Sequence, residues 1–388
     1  MNIIIKTIFY VSGFIIFWAM IGYPLSLVII SKILKKSGLK KDYSYRPTVT
    51  VMVVAHNEEK VIKDKLENLI RLQYPKDKIE FLVSSDNSTD KTNDIVRDFI
   101  KSHPNEKIRL FVVKERKGKT NAQNEAQKTV TSEILVMTDA NSILDEKSII
   151  ELVAAFTERD ISYVCGRLVI INKDISDVSS SENTYWDSDT IIRRIESDIQ
   201  TITAGNGAIY ACRNVDYYDF DPIKCHDGNM PRYYALNNKR ALYNPDAIAY
   251  EKAGEVIEDE FKRKVRMSRG ILGNILPDIR ILNVFKYKWF SYFYFGHRTC
   301  RYLLWISHLI ILITNVMLIQ ESWFYLLVFI GQVLFYLLAL VKAITKVKNK
   351  LINLVYYYVI TVIAQWVGVY NILTGKAKPF WEKAESTR

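Results

Sequence analysis

No residue from 8 to 30 carries a charge. At a helical rise of about 1.5 Å per residue the stretch is long enough to cross a bilayer core of roughly 30 Å. Nothing constrains the chain more, because backbone in hydrocarbon must satisfy its own hydrogen bonds, and a lone segment can do so only as a helix. Its apolar core is too long for a secretory signal and no small-residue cleavage site follows, so it reads as a retained anchor, with a cleaved signal as the competing reading. Further apolar runs at 302–319, 323–341 and 351–373 raise the expected number of spans to four. Ser307, His308, Asn315, Gln365 and Asn371 in these runs should face other helices or the interface, since unpaired polar groups are costly in lipid. Residues 281–301 mix aromatic and basic side chains and read as an amphipathic helix along the headgroups, or as the start of the next span.

The 388-residue chain has a formal net charge of +11, and the placement of its lysines matters more than their number. Lys32, Lys35, Lys36, Lys40 and Lys41 follow the first span, and Lys342, Lys346, Lys348 and Lys350 separate the third from the fourth. The positive-inside rule puts both clusters, and the polar middle of the chain, in the cytoplasm. The tail then falls outside, although Lys376, Lys378 and Lys383 pull the other way. Basic residues beside spans meet anionic membrane lipids. No RNA- or DNA-binding motif is visible, so nucleic acid is not an expected partner. Cys165, Cys212, Cys225 and Cys300 are far apart, with no Cys-x-x-Cys pair, and read as reduced thiols rather than zinc ligands or disulfides. The expected product is a multi-pass cell-membrane protein: an anchor at 1–34, a cytoplasmic domain at 47–280, the interfacial helix at 281–301, three spans within 302–374 and a tail at 375–388.

In the polar middle, apolar strands alternate with amphipathic helices, which argues an α/β domain with a mostly parallel sheet. Residues 48–55 form a continuous apolar strand, and Val61, Ile62, Leu66, Leu69 and Ile70 then recur at helical spacing. Strands follow at 79–85, 108–113 and 133–138, with a helix after Asp90. Each strand ends in polar residues that fall on one edge of the sheet, where open α/β folds bind their ligands. That edge collects His56, Asn57, Glu58, Asp86, Asn87, Ser88, Asp90, Lys117, Lys119 and Asp139. A carboxylate such as Asp86 can accept from a base imide, Lys117 and Lys119 can neutralise a diphosphate, and Asp139 suits Mg²⁺ or Mn²⁺ bridging phosphates. Taken singly, each has a plainer reading: Asp139-Ala140-Asn141 also makes a turn or helix cap, 86–90 an Asx-turn, and Lys117-Gly118-Lys119 a solvated turn too short for a P-loop.

The segments VVAHNEE, SSDNSTDKT, KGKTNAQNEA, MTDANS, AGNGAIYACR and FKRKVRMSRG, in that order and between such spans, resemble the membrane-bound family 2 glycosyltransferases. These are inverting enzymes with a GT-A-like nucleotide-binding domain, and they include hyaluronan, cellulose and poly-N-acetylglucosamine synthases. The likeness runs over nearly the whole chain, and Phe380-Trp381-Glu382 is similar to the tail of bacterial polysaccharide-assembly transferases. The resemblance implies a UDP-sugar donor, a Mg²⁺ or Mn²⁺ cofactor, a glycan or lipid-linked acceptor, and partners in polysaccharide assembly. It also implies residue roles. Asp86 would hold the uracil, with Ala55, Asn57, Glu58 and Ser88 around base and ribose, and Lys117 and Lys119 near the diphosphate. Asp139 matches the first acid of the family's Asp-x-Asp metal motif, while Asn141, a weaker neutral ligand, replaces the second. Gly205, Asn206 and Gly207 belong to a Gly-rich acceptor-side segment.

Family members place an acidic pair, often Thr-Glu-Asp, some tens of residues before a Gln-x-x-Arg-Trp motif beside the membrane. Here Arg263, Lys264, Val265, Arg266 and Met267 occupy that motif's place, and Cys225-His226-Asp227 lies at the matching distance upstream. Asp227 is therefore the expected catalytic base, with His226 orienting it, sharing its proton or weakening the site, and with Arg263 and Arg266 on the motif helix. Glu258-Asp259 resembles the acidic pair by letter but sits within two turns of Arg263 and should face solvent. Met267 replaces a Trp that can stack on the acceptor sugar, or else packs as an apolar residue of an amphipathic helix.

Overall fold

The computed structural model describes residues 2–34, 38–172, 174–345, 347 and 349–377. Lys35, Lys36, Lys346, Lys348, Lys378, Lys383 and the segment 380–382 lie outside the described residues.

The first half of the domain is a run of strand–helix units: β1 (Val49–Ala55), α2 (Ile62–Ile70), β2 (Ile79–Ser85), α3 (Thr92–Ser102), β3 (Ile108–Val112), α4 (Lys119–Gln127) and β4 (Ile134–Asp139), with α1 the amino-terminal helix Asn2–Ile33. All three pairings among these strands are parallel. Every residue of β1 is buried, as a parallel strand covered on both faces requires. Val49, Val51 and Val53 pack with Leu66 and Leu69 of α2 and Phe99 of α3, while Met52 and Val54 pack on the opposite face with Ala122 and Ala126 of α4. In register, Val54 pairs with Asp139, Ala55 with Ser85, and Ser85 with Val112, so the four strands end level.

The second half departs from the parallel expectation. It contributes β5 (Ile143–Leu144), α5 (Ser148–Ala154), β6 (Ile161–Ile170), α6 (Asp177–Ile199), β7 (Ile209–Arg213), α7 (His226–Leu236), β8 (Arg240–Glu251) and α8 (Ile257–Met267). The sheet order is β3-β2-β1-β4-β7-β6-β8-β5, in which β7 runs antiparallel to both neighbours and β5 antiparallel to β8. The sheet is therefore mixed. Because β7 reverses beside β4, the loop leading into β7 arrives at the edge where Asp139 emerges.

After α8, residues 281–301 do not form one amphipathic helix. Short turns give way at Lys288 (φ 52°) to α9 (Trp289–Tyr302), which meets α10 (Leu304–Leu318) at a bend of 63°. The aromatic ring of Tyr23 in α1 crowds Gly296 of α9 so closely that an added Cβ would lie 2.1 Å from it. Two long apolar helices follow, α11 (Trp323–Ile344) and α12 (Lys350–Leu373). With α1 they make, among the described residues, three helices long and apolar enough to span a membrane, or four when the bent pair is counted as one span. Polar residues in these helices find partners: His308 joins Tyr336 and Tyr358 at 2.9 and 2.8 Å, and Gln365 bridges the Trp305 amide and the Arg301 carbonyl. Lys6 pairs with Glu321 at one end of the bundle, and Lys342 pairs with Asp177 of α6 at the other, so the α/β domain sits at the Lys342 end.

Candidate active site

The level ends of β1, β2 and β4 build the floor. Asn57, just past β1, adopts φ 54°, a left-handed conformation that asparagine tolerates better than most residues. Its side-chain oxygen accepts from the Thr89 amide at 2.8 Å, its own amide donates to Ser88 Oγ, and the Glu58 amide donates to Thr92 Oγ1. These bonds tie the loop after β1 to the loop after β2. Asp86 is buried, and its carboxylate accepts from the amides of Lys117 and Gly118 at 3.2 and 3.0 Å. Burial lifts its pKa above the usual carboxylate range, while the two amides pull it back. Gly118 takes φ 95°, which a side chain would strain, and so turns the chain into α4 with Lys119 at its start.

Lys119 Nζ is ion-paired with Asp139 Oδ1. Burial works against its charge, but the carboxylates of Asp139 and Asp227 hold its pKa above the ordinary lysine value. Gly207 lies between these groups: a Cβ there would stand 3.1 Å from Asp139 Oδ2, 3.1 Å from Lys119 Nζ and 3.8 Å from Asp227 Oδ2. Bare backbone thus faces two carboxylates and an ammonium. Gly205 fixes the approach, since its amide donates to the Asp227 carbonyl at 2.8 Å and a Cβ on it would collide with the Tyr163 hydroxyl. Asn206, buried, braces the loop through the Gly166 carbonyl and the Ile209 amide. Gly207→Val is expected to lower turnover at least 10-fold without unfolding the protein, because the added carbons fill this junction; unchanged steady-state kinetics would show that reactants bind elsewhere.

Asp227 occupies the first turn of α7, where helix-end amides favour a carboxylate. Its neighbour turns the other way. His226 is buried, with Nδ1 bonded to Gln123 Oε1 and Nε2 to the Tyr217 hydroxyl, both at 2.9 Å. Its ring nitrogens are therefore engaged in packing the segment rather than with the Asp227 carboxylate. Burial, then the charge of Lys119, pushes the His226 pKa down to about 3. A depressed folded-state pKa makes the contribution to stability complete above the unfolded value near 6.5 and lost as pH falls toward 3. Stability should drop by up to about 1.4 kcal/mol per pH unit below 6.5 from this residue, and His226→Gln should flatten thermal melts compared between pH 6.5 and 5; equal slopes would exclude the assignment.

The motif helix α8 is fixed by charge. Arg263 reaches Glu182 at 2.7 Å and Glu260 at 2.6 Å, and Glu260 also accepts from the Tyr357 hydroxyl of α12 at 2.9 Å. Against the burial of Glu260, the charge of Arg263 holds its pKa down at about 2. Arg266 is half-buried and Met267 is 59% exposed, while Glu258 faces solvent. Sequence reasoning missed Arg269, just beyond α8, whose charge burial disfavours and the nearby Cys225 and Asp227 support. It also missed two groups behind Asp139. Fully buried Lys65 donates to Thr138 Oγ1 at 2.9 Å, with burial pushing its pKa down to about 7; Glu251, bonded to Ser142 Oγ, is pushed up to about 7 by burial and the Asp139 charge. No local pattern marks either residue.

Among the described residues no cluster of three His, Cys, Asp or Glu side chains is placed for a metal ion. Asp139, with Asn141 in the half-buried turn after β4, fits a cation of the Mg²⁺ kind, which takes one or two protein ligands and fills its shell from phosphates and water.

A mixed sheet whose parallel half ends in nucleotide-type groups, with a Gly loop and a carboxylate facing them, defines a GT-A-like glycosyltransferase fold. Residues 50–219 match the Glycosyl transferase family 2 domain. The probable glycosyltransferase YdaM of Bacillus subtilis is 32% identical over 130 residues, 32% of this chain and 30% of that protein. Poly-beta-1,6-N-acetyl-D-glucosamine synthase of Staphylococcus epidermidis is 26% identical over 286 residues, 70% of this chain and 67% of that one. The chain thus spans from 30% to about two thirds of the length of these relatives. The mannosyltransferase PcManGT from Pyrobaculum calidifontis, solved with GDP-Man and Mn²⁺, shares the fold, with a TM-score of 0.71 at 21% identity over 96% of this chain and 99% of that one.

Proposed function

We propose that the chain is a membrane-embedded inverting glycosyltransferase that moves a sugar from a UDP-sugar to a glycan or lipid-linked acceptor in polysaccharide synthesis, with its catalytic domain in the cytoplasm. The observation that carries the reading is the convergence of Asp139, Lys119 and Asp227 on the bare backbone of Gly207. Asp86, Asn57, Glu58 and Ser88 line the base and ribose end. Lys119 meets the diphosphate, and Lys117 adds charge near it. In the reaction the acceptor hydroxyl gives its proton to the Asp227 carboxylate as its oxygen forms a bond to the anomeric carbon. The bond from that carbon to the diphosphate oxygen breaks on the opposite face, its electron pair stays on UDP, and the Lys119 ammonium opposes the charge that develops. A divalent cation held by Asp139 and Asn141 would supply further charge to the leaving diphosphate. Arg263 positions α8 through its two carboxylate partners, leaving Arg266 and Met267 on the acceptor side.

The cytoplasmic placement draws on the basic residues at the Lys342 end of the bundle, where the domain sits. One observation favours a second reading, addition of a single sugar to a lipid. Met267, exposed where chain-building relatives carry Trp, offers no flat ring to retain a product between additions. A panel of radiolabelled nucleotide sugars, GDP-mannose among them, offered to membranes containing the protein tests both. Label from a UDP-sugar in a polymer supports the first reading, label confined to one lipid-sugar the second. Nucleotide binding without turnover of any donor would leave an inactive scaffold of a polysaccharide-assembly complex.

A further inference from the structure

Against α7, the helix that carries Asp227, lies a cavity of about 300 Å³ that the mechanism does not use. Its walls are the loop after β7, the outer face of α7 and the turn at 277–280. One side is aromatic: the rings of Tyr218 and Tyr233 lie 4.2 Å apart at 30°, Phe220 closes against both, and Tyr218 is 43% exposed. The rest is charged but balanced, with Asp219, Asp221 and Asp278 against Lys224, Arg232 and Arg280. Part of that charge is already organised, since Arg280 pairs with Asp278 at 2.7 Å and Arg232 bonds Asn229 and Asn274 at 2.7 and 3.1 Å.

These properties select a ligand class. Equal numbers of acidic and basic groups give no field to draw a polyanion such as a nucleotide or a phosphate. They suit hydroxyl groups, each of which donates to a carboxylate and accepts from a guanidinium or ammonium. The exposed ring of Tyr218 beside them, backed by Tyr233 and Phe220, suits the flat apolar face of a pyranose. The cavity also shares elements with the proposed site. Asp227 and Arg232 are five residues apart on α7, roughly 7–8 Å along the axis. Thr120, next to Lys119, donates to the carbonyl of Lys224 at the cavity's rim.

We propose that this cavity is an acceptor subsite for an oligosaccharide, holding sugars behind the one whose hydroxyl faces Asp227. The inference rests on the glycosyltransferase reading and names its acceptor as a glycan of several residues. The test measures binding of β-1,6- and β-1,4-linked N-acetylglucosamine tetrasaccharides, and of the monosaccharide, to the full chain in detergent. At least one tetrasaccharide should bind more tightly than the monosaccharide. Tyr218→Ala and Tyr233→Ala should each weaken it about 5- to 10-fold, with UDP binding unchanged as the control for folding. Should either variant fail that control, Arg280→Gln, on an exposed side chain, should weaken the tetrasaccharide in the same direction. Failure of both tetrasaccharides to bind, or binding indifferent to these substitutions, overturns the subsite. Absence of donor turnover in the wild type, with tetrasaccharide binding intact, instead removes the transferase reading and leaves the cavity a glycan site.

Discussion

Asp227→Asn is expected to lower turnover by about 10²- to 10⁴-fold while leaving affinity for the sugar nucleotide near that of the wild type. Asparagine keeps the shape and the helix-end position but cannot take a proton, so the loss falls on the chemical step. The charge also matters to its surroundings, because Asp227 is one of the two nearest carboxylates that keep Lys119 protonated. Asp139 remains as the direct partner of that lysine, so donor binding should survive the substitution. Asp259→Asn, on the half-buried face of α8, serves as the comparison and should change little. A larger defect in Asp259→Asn than in Asp227→Asn would reverse the assignment of the base.

Asp139→Asn should have the other large effect: turnover down by about 10³-fold or more, together with loss of metal-dependent nucleotide binding. In the wild type Asp139 is already paired with the Lys119 ammonium, so a divalent cation would have to compete for it. A metal arriving with a diphosphate would resolve that competition, since the phosphates could take over the lysine. Metal alone should therefore bind weakly and metal with UDP tightly, and titration of Mn²⁺ with and without UDP measures both. The substitution should abolish the difference. Wild-type turnover by Asp139→Asn without added Mg²⁺ or Mn²⁺ would eliminate the metal role.

The first four strands were legible because each is an unbroken apolar run bounded by polar residues, and runs of that kind need no knowledge of what lies beside them. The direction of β7 was not legible. Its partner β4 is 70 residues away across α6, and period-2 burial is the same for a strand running either way. The same distinction divides the site. Asp139 and Lys119 stand at or just beyond strand ends that the local pattern marks, and Asp227 was reached only through the family resemblance, whereas Lys65 and Glu251 owe their character to burial supplied by other elements. Glu260 shows how fine the division is. It follows Glu258 and Asp259 in an acidic row, yet a helical step of about 100° turns it from their exposed or half-exposed side to a buried hydroxyl on α12.

That contact between Glu260 and Tyr357 makes position 280 a poor place to divide the molecule, although composition changes there. Farther along the same seam Gly368 of α12 packs so tightly on Ser268 that a methyl group would lie 2.5 Å from its Cβ. A soluble fragment cut before the membrane helices would leave Glu260 one donor short, at about 1–3 kcal/mol, and would bare the face of α8 that α12 covers. The α/β domain and the long apolar helices are thus joined by a buried hydrogen bond and close packing as well as by the chain itself. On the proposed function, substitutions that refit α12 to a thicker or thinner bilayer would also act on α8, so adaptation to a lipid environment and tuning of the transfer step would draw on shared residues.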